Sequence, residues 1–476
     1  MRGENVLFSR ERGERGNGSE GVGSGEWGVL GERVPRRVPH HSPPPTPHPI
    51  ILRRMSELDT PADLAAVQPH DAYAALRNRD FRWFIVSLFT MVVGSQAQAV
   101  VVGWQVYNLT RDPLSLGLIG LAEALPFICV ALPAGYLADR RNRRAISVAM
   151  LLVLACCSAA LVAFSATPGL LARVGVVPVY AVIFASGIAR GILQPARQAL
   201  GAEIIPRSLY QNAITWRSST WQIASVIGPA IGGLLYGFAG AVASYGFAAL
   251  LMIVALGAFL MVRYAPEARS LGSTSMFEEL LSGLRFVRSE HAILAALSLD
   301  LFSVFLGGAE ALLPVFASEI LHVGPQGLGM LRAAPAAGAV TMGIFLAHRP
   351  PFRRAGRSML LAVAVFALSI IGFGLSRDFY LSFALLALSG MADNVSVVIR
   401  STLIQLLTPP QMLGRVSAVN SIFIGSSNEL GAFESGVAAR LVGAVPAVVL
   451  GGTAALAVVG LTARLVPRLR TLGRIA

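Results

Sequence analysis

The chain contains no lysine, so all 39 of its basic residues are arginines. A Walker-type phosphate loop and a pyridoxal Schiff base both require lysine, so this absence excludes an ATP-driven motor and a pyridoxal enzyme. The three cysteines, Cys129, Cys156 and Cys157, lie inside apolar runs. There they act as small hydrophobic residues and form no disulfide framework.

Motifs of catalysis and metal binding are lacking as well. The seven histidines are scattered, and the sequence has no His-Glu-x-x-His and no Gly-x-Ser-x-Gly. Histidine and cysteine also do not cluster at the spacing of metal ligands. We therefore expect that the protein is not an enzyme and that it holds no metal and no cofactor.

Charge is scarce for a chain of 476 residues: 14% of residues are charged, 54% are hydrophobic, and the mean hydropathy is +0.63. This composition is too apolar for a soluble protein and predicts an integral membrane protein, with the lipid bilayer as its partner. The net charge of +13 would suit nucleic acid, but the arginines fall in short loops and tails and not along one polar face. No nucleic acid is expected.

Twelve apolar segments each approach the roughly 20 residues that cross a bilayer. Their predicted limits are 81–107, 113–137, 145–167, 177–204, 212–238, 241–263, 291–321, 326–347, 357–376, 379–407, 415–440 and 443–465. The expected fold class is therefore all-α, with twelve transmembrane helices.

The remaining segments divide the chain. Residues 1–76 are expected to form a disordered leader, of which 1–54 precede Met55 and are interpreted as untranslated; residues 467–476 form a tail. A linker at 264–290, with an amphipathic helix, joins a first bundle of six helices at 77–263 to a second at 291–466. Arginines concentrate in alternate loops, which predicts that these loops and both termini are cytoplasmic.

The two bundles look like repeats. Gly228 and Gly233 of the fifth span reappear 203 residues later as Gly431 and Gly436. This spacing predicts pseudo-symmetric halves.

A basic loop, Gly135–Arg144, separates the second and third spans. Its residues Gly135, Leu137, Asp139, Arg140 and Arg144 resemble the loop between helices 2 and 3 of the major facilitator superfamily of transporters. The resemblance implies the major facilitator fold and a conformational latch, to which Glu203, paired with Arg143 or Arg144, and Arg415 would contribute. The alternative is an ordinary arginine loop that only sets topology.

The fifth span carries a second resemblance. Its residues Gly228, Pro229, Gly232 and Gly233 resemble the helix-5 motif of exporters in the superfamily, with Ala224 in place of the first glycine. The resemblance implies proton antiport and efflux. Ordinary packing of small residues is the alternative.

Three further segments, 283–287, 328–338 and 408–415, are similar to the bacterial enterobactin exporter group of this superfamily. That resemblance implies a siderophore-like or drug-like cargo. Arg190 departs from the group by placing a positive charge in the fourth span.

Ionisable residues inside apolar spans are costly, so each is a candidate for function. The candidates for a central cavity and for proton coupling are Glu123, Arg190, Asp300, Glu310, Asp393, Arg400, Glu429 and Glu434, with Gln98 and Gln105 as hydrogen-bonding partners of a polar substrate. They either line a cavity between the halves or form structural ion pairs. Glu123 with Arg190 and Asp393 with Arg400 are the pairs that the sequence suggests for coupling.

These features together predict a secondary active transporter that exports a small molecule by alternating access, with protons as the coupling ion. The location expected is the bacterial inner membrane, and the expected state is a monomer. An importer or lipid-moving permease of the same fold is the nearest alternative. A non-transporting membrane scaffold is the other, but it would leave the intramembrane charges without a role.

Overall fold

The computed structural model describes residues 71–167, 169–263, 276–350, 352 and 354–466, with helices throughout. Residues 1–70 of the predicted leader, most of the linker and the tail after residue 466 lie outside the described residues. The last residues of the predicted leader are described, and a short helix, Ala74–Arg77, begins there with Ala75 fully buried. The same holds for the side chains at 131, 132, 136, 138–140, 172 and 276–280.

Twelve long helices occur in the described ranges. They are α1 Arg79–Thr110, α2 Pro113–Arg140, α3 Arg143–Ala166, α4 Val177–Glu203, α5 Tyr210–Leu260, α6 Met276–Ser289, α7 His291–Leu306, α8 Gly324–Ala347, α9 Ala355–Leu375, α10 Phe379–Leu407, α11 Leu413–Val442 and α12 Ala444–Leu465. Helix α5 covers both the fifth and the sixth predicted span and is broken at Gly240, where φ is 75°. Helix α6 is the helix predicted in the linker.

Ten segments of the described chain are long and apolar enough to cross a membrane. Helix α11 is not among them, since serine, asparagine and glutamate residues interrupt its apolar sequence. The long segment Arg207–Leu260 counts once although it is 54 residues long, more than twice the length that one crossing needs. The all-α membrane fold is therefore confirmed, and the number of twelve crossings stays a prediction.

Short polar side chains cap the N-termini of four of the long helices. Asn78, Asp112, Asn142 and Asp378 each accept hydrogen bonds from backbone N–H groups at the start of the helix that follows. Only residues 141 and 142 separate α2 from α3. The predicted ten-residue loop at 135–144 is thus largely helical, with a tight turn capped by Asn142.

The seventh predicted span, 291–321, is not one continuous helix. Helix α7 ends at Leu306, a 3₁₀ turn follows at Ala309–Leu312, and a π-helical turn occupies Phe316–Ile320. Gly307 and Gly308 favour the interruption because glycine has a low helix propensity. Broken helices at this depth are tolerated where they face protein or a polar cavity.

Hydrophobic cores show how the halves meet. At the end of the bundle away from residues 135–144, which we call the distal end, one core includes Trp104 and Tyr107 of the first half with Phe316 and Leu328 of the second. At the opposite, loop end the cores are separate. One is built around Phe84, Leu151 and Phe259 of the first half, and another around Met359, Leu360 and Leu403 of the second. The halves therefore share a core at one end only.

The glycines of α5 and α11 occupy equivalent packing positions. Gly228 packs against Val93 of α1, and Gly431 packs in the same way against Phe305 of α7. This equivalence matches the spacing of 203 residues in the sequence and relates the first helix of one half to the first helix of the other.

The second glycine of each pair packs across the interface between the halves. Gly233 contacts Pro325 and Gly329 of α8, and Gly436 contacts Gly117 of α2. These contacts bring helix backbones together, which only residues without a side chain allow. The two interfaces, α5 on α8 and α11 on α2, follow the pseudo-symmetry that the repeat predicted.

Candidate functional site

Glu123 of α2 and Arg190 of α4 form an ion pair in the first half. The distance from Arg190 Nη1 to Glu123 Oε1 is 2.5 Å. The Arg190 side chain is 36% exposed, and that of Glu123 is 23% exposed. Gly187, one turn before Arg190, packs on the backbone of Glu123, so α4 approaches α2 closely at this level. The structure thus brings together a pair that the sequence suggested, while its role in coupling stays a prediction.

Arg400 pairs with Asp300 of α7, and the predicted pairing of Asp393 with Arg400 is wrong. The Arg400 and Asp300 side chains are only 3% and 8% exposed. Asp393 and Arg400 share a face of α10, but seven residues separate them by about 10 Å along the helix axis. Asp300 reaches Arg400 from the neighbouring helix, so tertiary packing supplies the partner.

Glu310, Arg332, Asp393 and Glu429 are among the charged residues of the second half that form no salt bridge with any described residue. Glu310 is exposed because it lies in the interruption after α7, and the other three are half-buried.

These groups face the ion pair of the first half. The Glu429 carboxyl lies within electrostatic range of Glu123, Arg190, Arg332 and Glu310. Asp393 in turn lies within range of Glu310. Six ionisable side chains from both halves therefore lie within electrostatic range of one another. We call the region between them the central cavity, because charged groups inside a membrane protein are expected to need access to water.

Arg332 was not among the predicted cavity residues. It is the ninth residue of α8, about 12 Å along the axis from the first, and not at the end of a helix. That depth was the signal in the sequence, because an arginine two turns inside an apolar helix needs a polar surrounding.

Gln98 and Gln105 are engaged within the first half. Gln98 accepts a hydrogen bond from Ser158 of α3 at 2.7 Å. Gln105 donates to Ser165 at 3.1 Å and accepts from the Tyr245 hydroxyl at 2.8 Å. Both amides therefore fasten α1 to its neighbours, and a substrate would have to replace these bonds.

Some of the predicted latch residues contact neighbouring helices, and the side chains of others are not described. Arg143 pairs with Glu203 at 2.7 Å, and Arg144 donates to the carbonyl of Leu260 at 2.8 Å. Arg415 donates to Ser282 of α6 at 3.3 Å, so it joins α11 to the linker helix. The side chains of Asp139 and Arg140 lie outside the described residues, and the latch as a whole stays a prediction.

Polar contacts close the distal end, and the sequence analysis did not find them. The Tyr107 hydroxyl of α1 donates to Glu319 in the π-helical turn, and Arg111 donates to Ser318 beside it at 3.2 Å. A third contact joins Asp112 to Arg440 of α11 at 3.2 Å. The only local signal was the rarity of arginine in the distal loops, because each partner lies in the other half of the chain.

Apolar helices in two related halves, with ionisable side chains from both halves between them, are typical of a membrane transporter. Residues 70–473 match the family model described as transmembrane secretion effector. The chain belongs to this family of major facilitator superfamily transporters, so it is a multi-pass membrane transporter of small molecules and not an enzyme.

Curated relatives carry the name enterobactin exporter EntS. Those of Escherichia coli O1:K1 / APEC and of Citrobacter koseri are each 27% identical over 344 residues, which are 71% of this chain and 80% of the relative.

Solved structures share the fold. A POT family transporter in complex with 5-aminolevulinic acid has a TM-score of 0.67 at 11% identity, over 82% of this chain and 97% of its own. A bacterial homologue of the human lysosomal transporter Spinster has a TM-score of 0.62 at 14% identity, over 83% of this chain and 99% of its own. At these identities the likeness concerns the fold alone.

Proposed function

We propose that this protein exports a small molecule by alternating access and that protons entering the cell drive the export. The observation that carries the proposal is the central cavity, whose charges come from both halves while those halves share a core at the distal end only. A cavity of this kind can be reached from one side at a time, provided that the halves rock about the site.

The predicted orientation of the protein in the membrane indicates the side to which the cavity opens. The arginine-rich loop at 135–144 belongs on the cytoplasmic side by the distribution of positive charge, which also places both termini there. We take the separate cores at the loop end to mark the end at which the halves part, which is then the cytoplasmic side, where an exporter loads its cargo. We assign the protein to the bacterial inner membrane as a monomer.

Support for export comes from α5. The glycines that resemble the exporter motif pack on α1 and, at Gly233, on α8 of the other half. A close backbone contact between halves can be broken and remade without rearranging long side chains. The names of the curated relatives point in the same direction.

Coupling to protons is supported by the unpaired carboxylates of the second half. Glu310, Asp393 and Glu429 form no salt bridge with described residues, although two of them are half-buried. An ionised carboxylate without a partner at this depth is costly, so each of these groups is a candidate to carry the coupling proton.

For the cargo we propose a siderophore-like molecule. The relatives are named enterobactin exporters, and the guanidinium groups of Arg190 and Arg332 suit anionic or phenolic oxygens.

Inside-out vesicles from cells without other siderophore exporters test the proposal. Vesicles that contain the protein should accumulate enterobactin when the lumen is acidified, and an uncoupler should abolish the accumulation. Vesicles without the protein are the control. Accumulation in right-side-out vesicles alone would show an importer, unchanged accumulation after the uncoupler would remove proton coupling, and no accumulation in either orientation would contradict enterobactin as the cargo.

A further inference from the structure

Two arginines near the loop end of the first half have no acidic partner. Arg197 belongs to the last two turns of α4, and Arg217 belongs to the first two turns of α5. Both side chains are half-buried, and neither forms a salt bridge with any described residue. Two cationic groups therefore lie in partly buried places without a counter-charge, which is costly unless an anion from outside the chain reaches them.

The two arginines lie at the same depth in the bundle. Helix α4 ends at Glu203 and α5 begins at Tyr210, with only a short turn between them. At a rise of about 1.5 Å per residue, Arg197 lies about 9 Å before the end of α4 and Arg217 about 10 Å after the start of α5. Their backbones are therefore level with each other.

Both guanidinium groups also reach the same helix, α1. Arg197 donates through Nη1 to the thioether sulfur of Met91, a weak acceptor, at 3.2 Å. The Cζ of Arg217 lies 5.9 Å from the centre of the Phe84 ring. That ring lies against α4 as well, since a Cβ on Gly201, one turn after Arg197, would be 2.8 Å from Phe84 Cζ. The two charges thus converge beside α1, within electrostatic range of each other.

The face of α4 that carries Arg197 leads to the central cavity. Arg190, Gln194 and Arg197 follow one another at spacings of four and three residues, so they share one face of the helix. Arg190 lies at the central cavity, about 10 Å deeper than Arg197. This face therefore offers polar groups from the loop end inwards.

We propose that Arg197 and Arg217 form a binding site for an anionic oxygen group of the cargo, a carboxylate or an ionised phenol, at the entrance to the central cavity. Guanidinium groups suit such oxygens because their N–H donors lie in one plane and bind two oxygens at once. The inference rests on the proposed function and adds to it that the cargo carries a negative charge.

The bound anion supplies the counter-charge that the chain lacks at this place. It offsets the repulsion between the two guanidinium groups and accepts hydrogen bonds from donors whose present partners are a thioether and a ring face. A neutral molecule of the same shape offers no such charge. The site therefore selects by charge before the cargo reaches the pair of Glu123 and Arg190.

A pair of small probes tests the site without transport. 2,3-Dihydroxybenzoate and 2,3-dihydroxybenzamide share the ring and both hydroxyl groups, but at about pH 7 only the first carries an ionised carboxylate. Binding of each to the purified full-length protein is measured by calorimetry in nanodiscs of phosphatidylcholine. The wild type should bind the benzoate about tenfold more tightly than the benzamide. The benzoate, and not the benzamide, should also raise the melting temperature.

The variants Arg197→Gln and Arg217→Gln should each weaken binding of the benzoate about tenfold and leave binding of the benzamide unchanged. Neither should lower the melting temperature, because neither arginine holds an acidic partner that would be left unpaired. The matched control is Arg207→Gln, which removes one exposed positive charge from the turn between α4 and α5. It should keep the wild-type affinity for both probes.

Equal affinity of the wild type for the two probes would overturn the inference, and this readout needs no variant. The same weakening in Arg207→Gln would overturn it too, since the effect would then belong to net charge. Loss of benzoate binding in discs that contain phosphatidylglycerol would assign the site to a lipid headgroup. Absence of uncoupler-sensitive export in vesicles contradicts the proposed function instead, whatever the probes do, so the two failures are distinguishable.

Discussion

Charged side chains of this protein fall into two kinds according to whether they have a partner. Asp300 and Arg400 are paired and almost fully buried between α7 and α10, so removal of either charge would leave the other without a partner in a buried place. Asp393, Glu429 and Arg332 have no salt bridge among the described residues and lie at the central cavity. Unpaired charges at this depth are available to a proton or a cargo.

Asp300→Asn should destabilise the protein strongly while Asp393→Asn should not. Removing one member of a buried ion pair leaves an uncompensated charge, at a cost of about 3–5 kcal/mol. Thermal unfolding in detergent should show a large loss of melting temperature for Asp300→Asn and little for Asp393→Asn. Replacing Arg400 by Met in addition should restore much of the loss, and equal melting temperatures for the two single variants would contradict the structural role of the pair.

Two adjacent glycines of helix α5 pack at different interfaces. Gly232 packs on Ala97 of α1 inside the first half, and Gly233 packs on Pro325 and Gly329 of α8 in the other half. Gly246, later in the same helix, has open space where a side chain would be. A methyl group added at Gly232 therefore tests the stability of the first half, whereas a methyl group added at Gly233 tests the equilibrium between conformations.

Gly232→Ala should lower the thermal stability, because its Cβ would lie 2.7 Å from the Cα of Ala97 and backbone cannot yield as a side chain can. Overpacking of this kind costs about 1–3 kcal/mol. Gly246→Ala, the matched control, should be neutral or slightly stabilising, since alanine is the better helix former.

Gly233→Ala should act on conformation instead. The added methyl group meets α8 backbone only while the distal end is closed, so accessibility of distal residues to a thiol reagent should rise with little change in melting temperature. A loss of stability as large as that of Gly232→Ala would show that the contact holds the fold and not one conformation.

For the whole molecule, the distal contacts decide whether the halves can rock. Asp112 and Arg440 form an exposed pair at 3.2 Å, with the side chains 35% and 56% exposed. Such a pair contributes about 0–1 kcal/mol, so the contact can be broken in each transport cycle.

A covalent link at this place should stop transport. We expect the double variant Asp112→Cys with Arg440→Cys, in a background without native cysteines, to transport almost as the wild type does until a short bismaleimide joins the two thiols. Each single variant treated with the same reagent is the control. Full transport by the cross-linked protein would contradict alternating access through the distal end.

Much of the architecture was predictable because it depends on local patterns. Apolar length predicted where the helices run, and the spacing of Gly228 and Gly233 predicted which surfaces of α5 and α11 are equivalent. The pairing of Asp393 with Arg400 was predicted wrongly, since two residues on one helical face are too far apart to meet when they are two turns apart. The contact of Tyr107 with Glu319 was not predicted at all, because its two residues are 212 positions apart in the chain.

The amino-acid sequence by itself determined that this is an all-helical membrane protein with related halves, because lipid admits only apolar segments whose backbone polar groups are satisfied internally. The tertiary structure decided which charges are partners, which remain free, and which end of the bundle is closed. Those outcomes depend on how helices distant in sequence pack together, and the energy of a charge in a membrane depends on the groups within a few ångströms of it and not on its neighbours along the chain.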